Sequence, residues 1–179
     1  MIDIIHILGA AGSGTSTLGK KLENKLNYIH LDVDDYFWFP TNPPFIKKRE
    51  REERIKLLMT DISNKKKCVI TGSLCGWGDV FIPFFDLIIE IETPTEIRIE
   101  RIDKRESKRF GNRILQGGDM HDAHQKFIEW AESYDTADIN SRSKALHDCW
   151  LKDINCKKLV VDGTMPLEQI INLIENLIK

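Results

Sequence analysis

Gly9-Ala10-Ala11-Gly12-Ser13-Gly14-Thr15-Ser16-Thr17 is the stretch on which the fold turns. Ahead of it, Ile2–Leu8 reads as a β-strand. Behind it, Leu18, Leu22 and Leu26 recur at i, i+4 and i+8, one face of a helix. A strand, a turn of glycines and small residues, and a helix form the context of a phosphate-binding loop. The glycines let the backbone curl and aim successive N–H groups inward, and the helix N-terminus adds positive potential. Gly9, Gly12, Ser13, Gly14, Thr15, Ser16 and Thr17 are therefore the candidate nucleotide contacts, with Ser16 placed to offer its hydroxyl to a magnesium ion. One position departs from the signature G-x-x-x-x-G-K-[ST]: Thr15 stands where the pattern has lysine. That lysine reaches the terminal phosphates and offsets charge during transfer. Lys20 is no simple substitute, because it lies roughly 7.5 Å further along the helix at 1.5 Å per residue.

Working outward, apolar runs alternate with helical patterns, which predicts an α/β fold with a mainly parallel sheet. Further strands are expected at Tyr28–Leu31, Cys68–Thr71, Leu87–Ile91 and Leu159–Val161, several of them β-branched and almost continuously apolar. Helices are expected at Glu50–Asn64, with Ile55, Leu58, Met59 and Ile62 inward, and at Thr95–Glu106, with Thr93 as its N-cap. Two more fall at Asp122–Tyr134 and Asn140–Trp150. The last helix carries the stripe Leu167, Ile170, Ile171, Ile174, Leu177 and Ile178, with Pro166 near its start. Two segments resist this scheme. Asp32–Lys48 holds three prolines and three aspartates, and Arg105–Asp122 holds three glycines amid many charges. Both read as loops able to close over a ligand.

The 179 residues suit one domain, 1–179, with enough chain for a core that needs neither disulfides nor metals. With 41% hydrophobic and 30% charged residues the composition is that of a soluble globular protein. A formal net charge of −2 argues against a protein that coats nucleic acid. Cys68, Cys75, Cys149 and Cys156 form no C-x-x-C pair, so a reduced, cytoplasmic protein is expected. No apolar run approaches the roughly 18 residues of a membrane span.

With the loop and the order of these elements in view, the sequence resembles the adenylate-kinase-like branch of P-loop kinases, which includes nucleotide, shikimate and gluconate kinases. That resemblance implies a three-layer P-loop NTPase fold, a five-stranded parallel sheet with helices on both faces and a mobile lid. It also implies ATP and Mg2+, a small-molecule acceptor bound by a segment at about 32–65, and a lid at about 101–122. Arg101 and Arg105 match an R-x-x-x-R pair, in which the first arginine stacks on the base and the second contacts phosphates. Arg98, Arg109 and Arg113 would add charge to the lid; the other reading is a solvated basic helix with pairs such as Glu100–Lys104.

Asp32 and Asp34 fall where the family's acidic residues organise magnesium or take a proton from the attacking hydroxyl. If the second strand ran on to Asp34, both would share one face; otherwise they are turn and capping residues. Gly72, Gly76 and Gly78 frame an acceptor-side turn with Trp77 available for stacking, or a plain connection. Asp162-Gly163-Thr164 matches the family's adenine-side turn, and is equally a good turn and cap. Tyr36–Phe39 is either lobe packing or an apolar wall for a ring-shaped substrate. The basic run Lys47, Lys48, Arg49, Arg51 and Arg54 either holds an acceptor phosphate or is a solvated face. His121 and His124, i and i+3, are set aside as a metal pair for want of a third ligand. The functional expectation is phosphoryl transfer from ATP to a small molecule, a nucleoside or nucleotide first and a sugar-like hydroxyl next. A nucleotide sensor with little catalysis is the alternative that Thr15 leaves open.

Overall fold

The computed structural model describes residues 2–64 and 67–178; Lys65, the last residue of the expected acceptor segment, lies outside them. Five strands, β1 (Ile4–Gly9), β2 (Ile29–Asp32), β3 (Cys68–Thr71), β4 (Leu87–Glu92) and β5 (Lys157–Asp162), form one sheet in the order β2-β3-β1-β4-β5. Every pairing is parallel, with Ile7 opposite Thr71, Asp32 opposite Thr71 and Gly9 opposite Ile91. Parallel strands must be covered on both faces, and the apolar residues divide accordingly. Leu18 and Leu22 of α1 (Thr15–Leu26) and Ile170, Ile171 and Ile174 of α7 (Leu167–Ile178) bury one face with Ile5, Ile7 and Ile89. The other face is covered by α2 (Val33–Phe37), α3 (Arg51–Asn64) and α6 (Lys144–Lys152), through Val33, Leu58, Ile62 and Leu151 on Leu8, Ile70 and Ile88. Each fully buried aliphatic side chain contributes roughly 1.5–3 kcal/mol. The α/β expectation and all five strands are met.

Three local expectations differ. β2 stops at Asp32, whose side chain accepts from the Asp34 amide and caps α2, so Asp32 and Asp34 do not share a strand face. The helix after β4, α4 (Thr95–Phe110), continues well past Glu106, and its last turn carries Lys108 and Arg109, cations that complement the helix dipole. Its N-cap is Pro94, while Thr93 turns its hydroxyl to the Ser13 carbonyl at 3.3 Å. A 3₁₀ turn at Gly111–Ile114 then leads to α5 (His121–Glu132).

The buried His6 gives the fold a pH dependence. His6 lies in the sheet, stacked on Phe85, with Nδ1 near the Ile70 carbonyl at 3.2 Å and no partner for Nε2. Burial lowers its pKa from 6.5 to about 4. Above pH 6.5 both folded and unfolded chains hold this ring neutral. As pH falls toward 4, the unfolded chain binds a proton that the folded one refuses, so stability is lost on acidification. The shift corresponds to about 3 kcal/mol. Urea unfolding followed between about pH 7.5 and pH 4.5 is expected to show a shallower acid loss in His6→Phe than in the wild type; parallel profiles would reject the assignment.

Candidate active site

All five strands end at one rim, at Gly9, Asp32, Thr71, Glu92 and Asp162, the edge where open α/β sheets bind ligands. The loop after β1 tightens through a Ser13 N–H to Ala10 carbonyl bond of 3.1 Å, and α1 begins at Thr15. Gly12 is obligatory in this shape: its φ is +80°, and a Cβ would sit 2.5 Å from the Arg98 carbonyl oxygen. Among the described residues no side chain caps α1 and its first turn holds no acidic residue. The N–H groups of Thr15, Ser16 and Thr17 therefore remain available to an anion at the positive end of the helix. Thr15 brings no charge, and the Lys20 ammonium acts on Asp35 and His30.

The Ser16 hydroxyl donates to Asp32 Oδ2 at 2.7 Å, while Asp32 Oδ1 receives the Asp34 amide at 3.1 Å. One carboxylate thus joins the loop to the start of α2. A hydroxyl and a carboxylate oxygen side by side suit a hard cation such as Mg2+, so the residues present fit that metal.

On the nucleotide side, Arg101 lies across the loop: Nη1 donates to the Ser13 carbonyl at 3.3 Å and Nη2 to the Gly163 carbonyl at 2.9 Å. The turn it reaches is built by Asp162, whose Oδ1 accepts from the Thr164 amide and hydroxyl at 2.8 and 2.7 Å. Its planar guanidinium can support a base there. Arg101→Ala is expected to raise the KM for ATP roughly 3- to 30-fold, the range of one cation–π contact, with little change in thermal stability; an unchanged KM would remove Arg101 from the nucleotide site. Arg105 is half exposed and pairs with Glu106 at 3.5 Å.

Arg98 does not belong to the lid. It is fully buried, with Nε donating to the Thr93 carbonyl, Nη1 to the Ala131 carbonyl and Nη2 to Thr95 and Asp135. Arg109 and Arg113 are held by partners outside the loop. Arg113 grips Asp119 with two bonds of 2.9 and 2.7 Å and reaches Asn42 at 3.3 Å, and Arg109 covers the Phe45 ring. Arg109, in the last turn of α4, and Arg113, just after it, both reach the lobe after β2. His124 pairs with Asp103 at 3.2 Å and His121 with Asp122 at 3.0 Å, which leaves the two histidines with separate partners.

The acceptor side differs most from expectation. Trp77 is buried against Phe37 and Phe81, so it cannot stack on a ligand. Tyr36 is buried with its hydroxyl on Asp61 at 2.7 Å. The basic run caps these aromatics: Arg54 lies 3.7 Å over Phe37, and Arg49 lies 4.3 Å over Phe39 while pairing with Glu53. Tyr36–Phe39, Arg49 and Arg54 are thus lobe packing, while Arg51 is exposed.

Asp34 and Arg142 lie close enough on the acceptor side to shift each other's titration. Asp34 is open to solvent at its surface yet enclosed by protein on most sides; burial raises its pKa, Asp32 adds to the rise, and Arg142 and Trp38 oppose it. Arg142, overlooked in the sequence, precedes the α6 N-cap Ser143, stacks 4.6 Å over Trp130 and has no hydrogen-bond partner for its Nε. Burial lowers its pKa against the pull of Asp34. Its signal was Ser143 ahead of an apolar-periodic helix, but nothing local says that this cap lies at the strand rim. Gly72, with φ +111° and a Cβ that would fall 2.9 Å from Val33, brings the turn after β3 against the start of α2.

Residues 5–121 match the AAA domain family. The chain belongs to the AAA domain family. Across 165 residues this AAA domain chain is 43% identical to "Uncharacterized protein YqaC" of Bacillus subtilis, over 92% of its own length and 91% of the relative's. It is 26% identical over 194 aligned positions to a cytidylate kinase of Methanocaldococcus jannaschii, covering 98% and 97%. In three dimensions it resembles a shikimate kinase from Bacteroides thetaiotaomicron, with a TM-score of 0.56 at 18% identity and 99% coverage of both chains. The α/β P-loop NTPase fold is thereby established, and the likenesses support a P-loop small-molecule kinase. Among the described residues no helix is long and apolar enough to cross a membrane.

Proposed function

We propose that this protein transfers the terminal phosphoryl group of ATP to a hydroxyl of a small acceptor, in the manner of the adenylate-kinase-like branch of P-loop kinases. The observation that carries this reading is the 2.7 Å bond between Ser16 and Asp32, which joins the phosphate loop to a carboxylate two residues before Asp34. The loop Gly9–Thr17 holds the phosphates through its amides, and Arg101 holds the base. Ser16 and Asp32 would hold Mg2+, which supplies charge neutralisation on the phosphates. Asp34 orients the acceptor hydroxyl and takes its proton. Arg105 reaches the transferring phosphate once its side chain leaves Glu106, and so stands in part for the lysine absent at Thr15. Catalysis is then positioning and charge stabilisation.

Asp34 in the cleft favours a hydroxyl over a phosphate as the attacking group, because a carboxylate repels an anionic nucleophile. The commitment of Arg49 and Arg54 to aromatic packing points the same way. A second reading, transfer to a nucleoside monophosphate, is favoured by the cytidylate kinase likeness over nearly the whole chain. ADP formation with ATP and magnesium, measured against cytidine, CMP, shikimate and gluconate, tests the proposal. Turnover with a hydroxyl acceptor and a product phosphorylated on carbon-bound oxygen is expected; a CMP-to-CDP product would establish the second reading. ATP binding without turnover by any acceptor would sink both in favour of a sensor. Thr15→Lys is expected to speed transfer, since it restores a cation at the terminal phosphates; a slower variant would mean that the loop has been rebuilt around Thr15.

A further inference from the structure

Tyr134, His147 and Ser73 lie on three separate elements and meet beside the cleft. The Tyr134 hydroxyl is 2.8 Å from His147 Nδ1, and His147 Nε2 is 3.0 Å from Ser73 Oγ. His147 is wholly buried and Tyr134 nearly so, while Ser73 opens toward the rim on the turn after β3. None of the three has a part in the reaction as proposed above.

We infer that Tyr134, His147 and Ser73 form a hydrogen-bond relay of fixed direction, which makes the Ser73 hydroxyl a donor to a carboxylate or phosphate oxygen carried by the acceptor. The inference rests on the phosphoryl-transfer reading for the word acceptor, and on geometry for the rest. The direction follows from counting protons. A buried phenol must place its hydrogen on an acceptor, and His147 is the partner of the Tyr134 hydroxyl. Nδ1 therefore accepts. Burial and the charges of Arg142, His6 and Lys144 lower the His147 pKa to about 3, so the ring is neutral and its one N–H is at Nε2. Nε2–H donates to Ser73 Oγ, and the serine hydrogen is left to point elsewhere. The Cys75 thiol beside it is only a weak acceptor, which a ligand oxygen outcompetes.

The ligand group follows from the neighbours. Arg142, half-buried but with its Nε enclosed and unpartnered, has Cys75, Tyr134 and Asp34 as electrostatic neighbours. A buried guanidinium N–H calls for an acceptor. A neutral donor at Ser73 and a cationic donor at Arg142 together select an anionic oxygen, with Asp34 on the same cleft for the reacting hydroxyl. Ser73 is then a specificity-determining residue, and His147 and Tyr134 are positioning residues.

The tautomer is read first, by nitrogen-resolved NMR of the full-length protein labelled at histidine. An Nε2-protonated ring that holds from about pH 8 to about pH 5.5 is expected; protonation at Nδ1, or titration in that range, overturns the relay. Binding is read second, by calorimetry with CMP, shikimate and, as a neutral probe, cytidine. At least one anionic probe is expected to bind, and cytidine more weakly than CMP. Ser73→Ala should weaken the anionic probe roughly tenfold, the worth of one hydrogen bond to a charged group, and Ser73→Thr should restore it, with ATP affinity unmoved in both. Equal binding by Ser73→Ala and wild type, binding of CMP that is measurable but no tighter than that of cytidine, or no binding of either anion overturns the inference. Absence of turnover alone counts against the phosphoryl-transfer reading and leaves the tautomer and binding results to decide the relay.

Discussion

Asp34→Asn is expected to lower kcat by roughly 10²- to 10⁴-fold, the range of a lost general base, while the ATP dissociation constant stays within about twofold. The amide keeps the size of the side chain, so the packing of α2 is retained. The bond that fixes Asp32 also survives, because it comes from the Asp34 backbone amide. What disappears is a carboxylate whose pKa is raised, by burial first and then by Asp32, against the pull of Arg142. That combination is what a base acting on an alcohol requires, since a fully solvated carboxylate is too weak a base to take the proton. Single-turnover measurements with the acceptor found by the panel separate this loss from a binding defect. A variant with wild-type kcat would mean that transfer proceeds without proton abstraction at Asp34, and would favour a phosphate acceptor, whose oxygen is already ionised.

The neighbouring residue gives a contrast. Asp32 shares its carboxylate between Ser16 and the Asp34 amide. It is a helix cap and a candidate metal ligand at once. The sequence placed both aspartates at the end of β2, yet alternation along a strand was the wrong rule for this pair. A capping aspartate ends the strand and starts a helix, and that local hydrogen bond outweighed two further residues of extended backbone.

The phosphate loop was legible because its logic is local: strand, glycines and helix follow one another within a few residues. The length of α4 was legible in part. Gly111, with φ +55°, is the stop signal beyond Phe110, but the dense charges before it obscured the helix. The acceptor cleft was not legible, because its members are distant in the chain. Trp77 lies on a glycine-rich turn that suggests exposure, and only the packing of Phe37 and Phe81 shows that it is buried. Arg142 and His147 come into reach of Asp34 and Ser73 through the placement of α6, which no nearby pattern announces.

Arg98 shows the same limit with the largest energetic consequence, and Arg98→Ala is expected to destabilise the protein by roughly 3–5 kcal/mol. In sequence this arginine sits among Arg101, Arg105, Arg109 and Arg113 on a charged helix, and it reads as one more lid cation. Its partners are Thr93 at the end of β4, Ala131 at the end of α5, and Asp135, which follows in a 3₁₀ turn, and the Asp135 contact is 2.6 Å. A guanidinium with all these bonds is held in place, and its removal strands the Thr93 and Ala131 carbonyls without donors. The loss is not only one of stability. The Arg98 backbone carbonyl lies against Gly12, and Arg98 fixes Thr93, whose hydroxyl meets Ser13. The arginine therefore braces the phosphate loop from behind, and binds Tyr134's turn to the helix that carries Arg101. Urea unfolding is expected to show a lower midpoint with an unchanged slope, and ATP affinity measured well below that midpoint should fall as well. Wild-type stability in Arg98→Ala would mean that water replaces the guanidinium at no cost. Arg98→Lys discriminates further. It restores a charge opposite Asp135 but cannot reproduce the planar fork that reaches both carbonyls, so it is expected to recover only part of the loss.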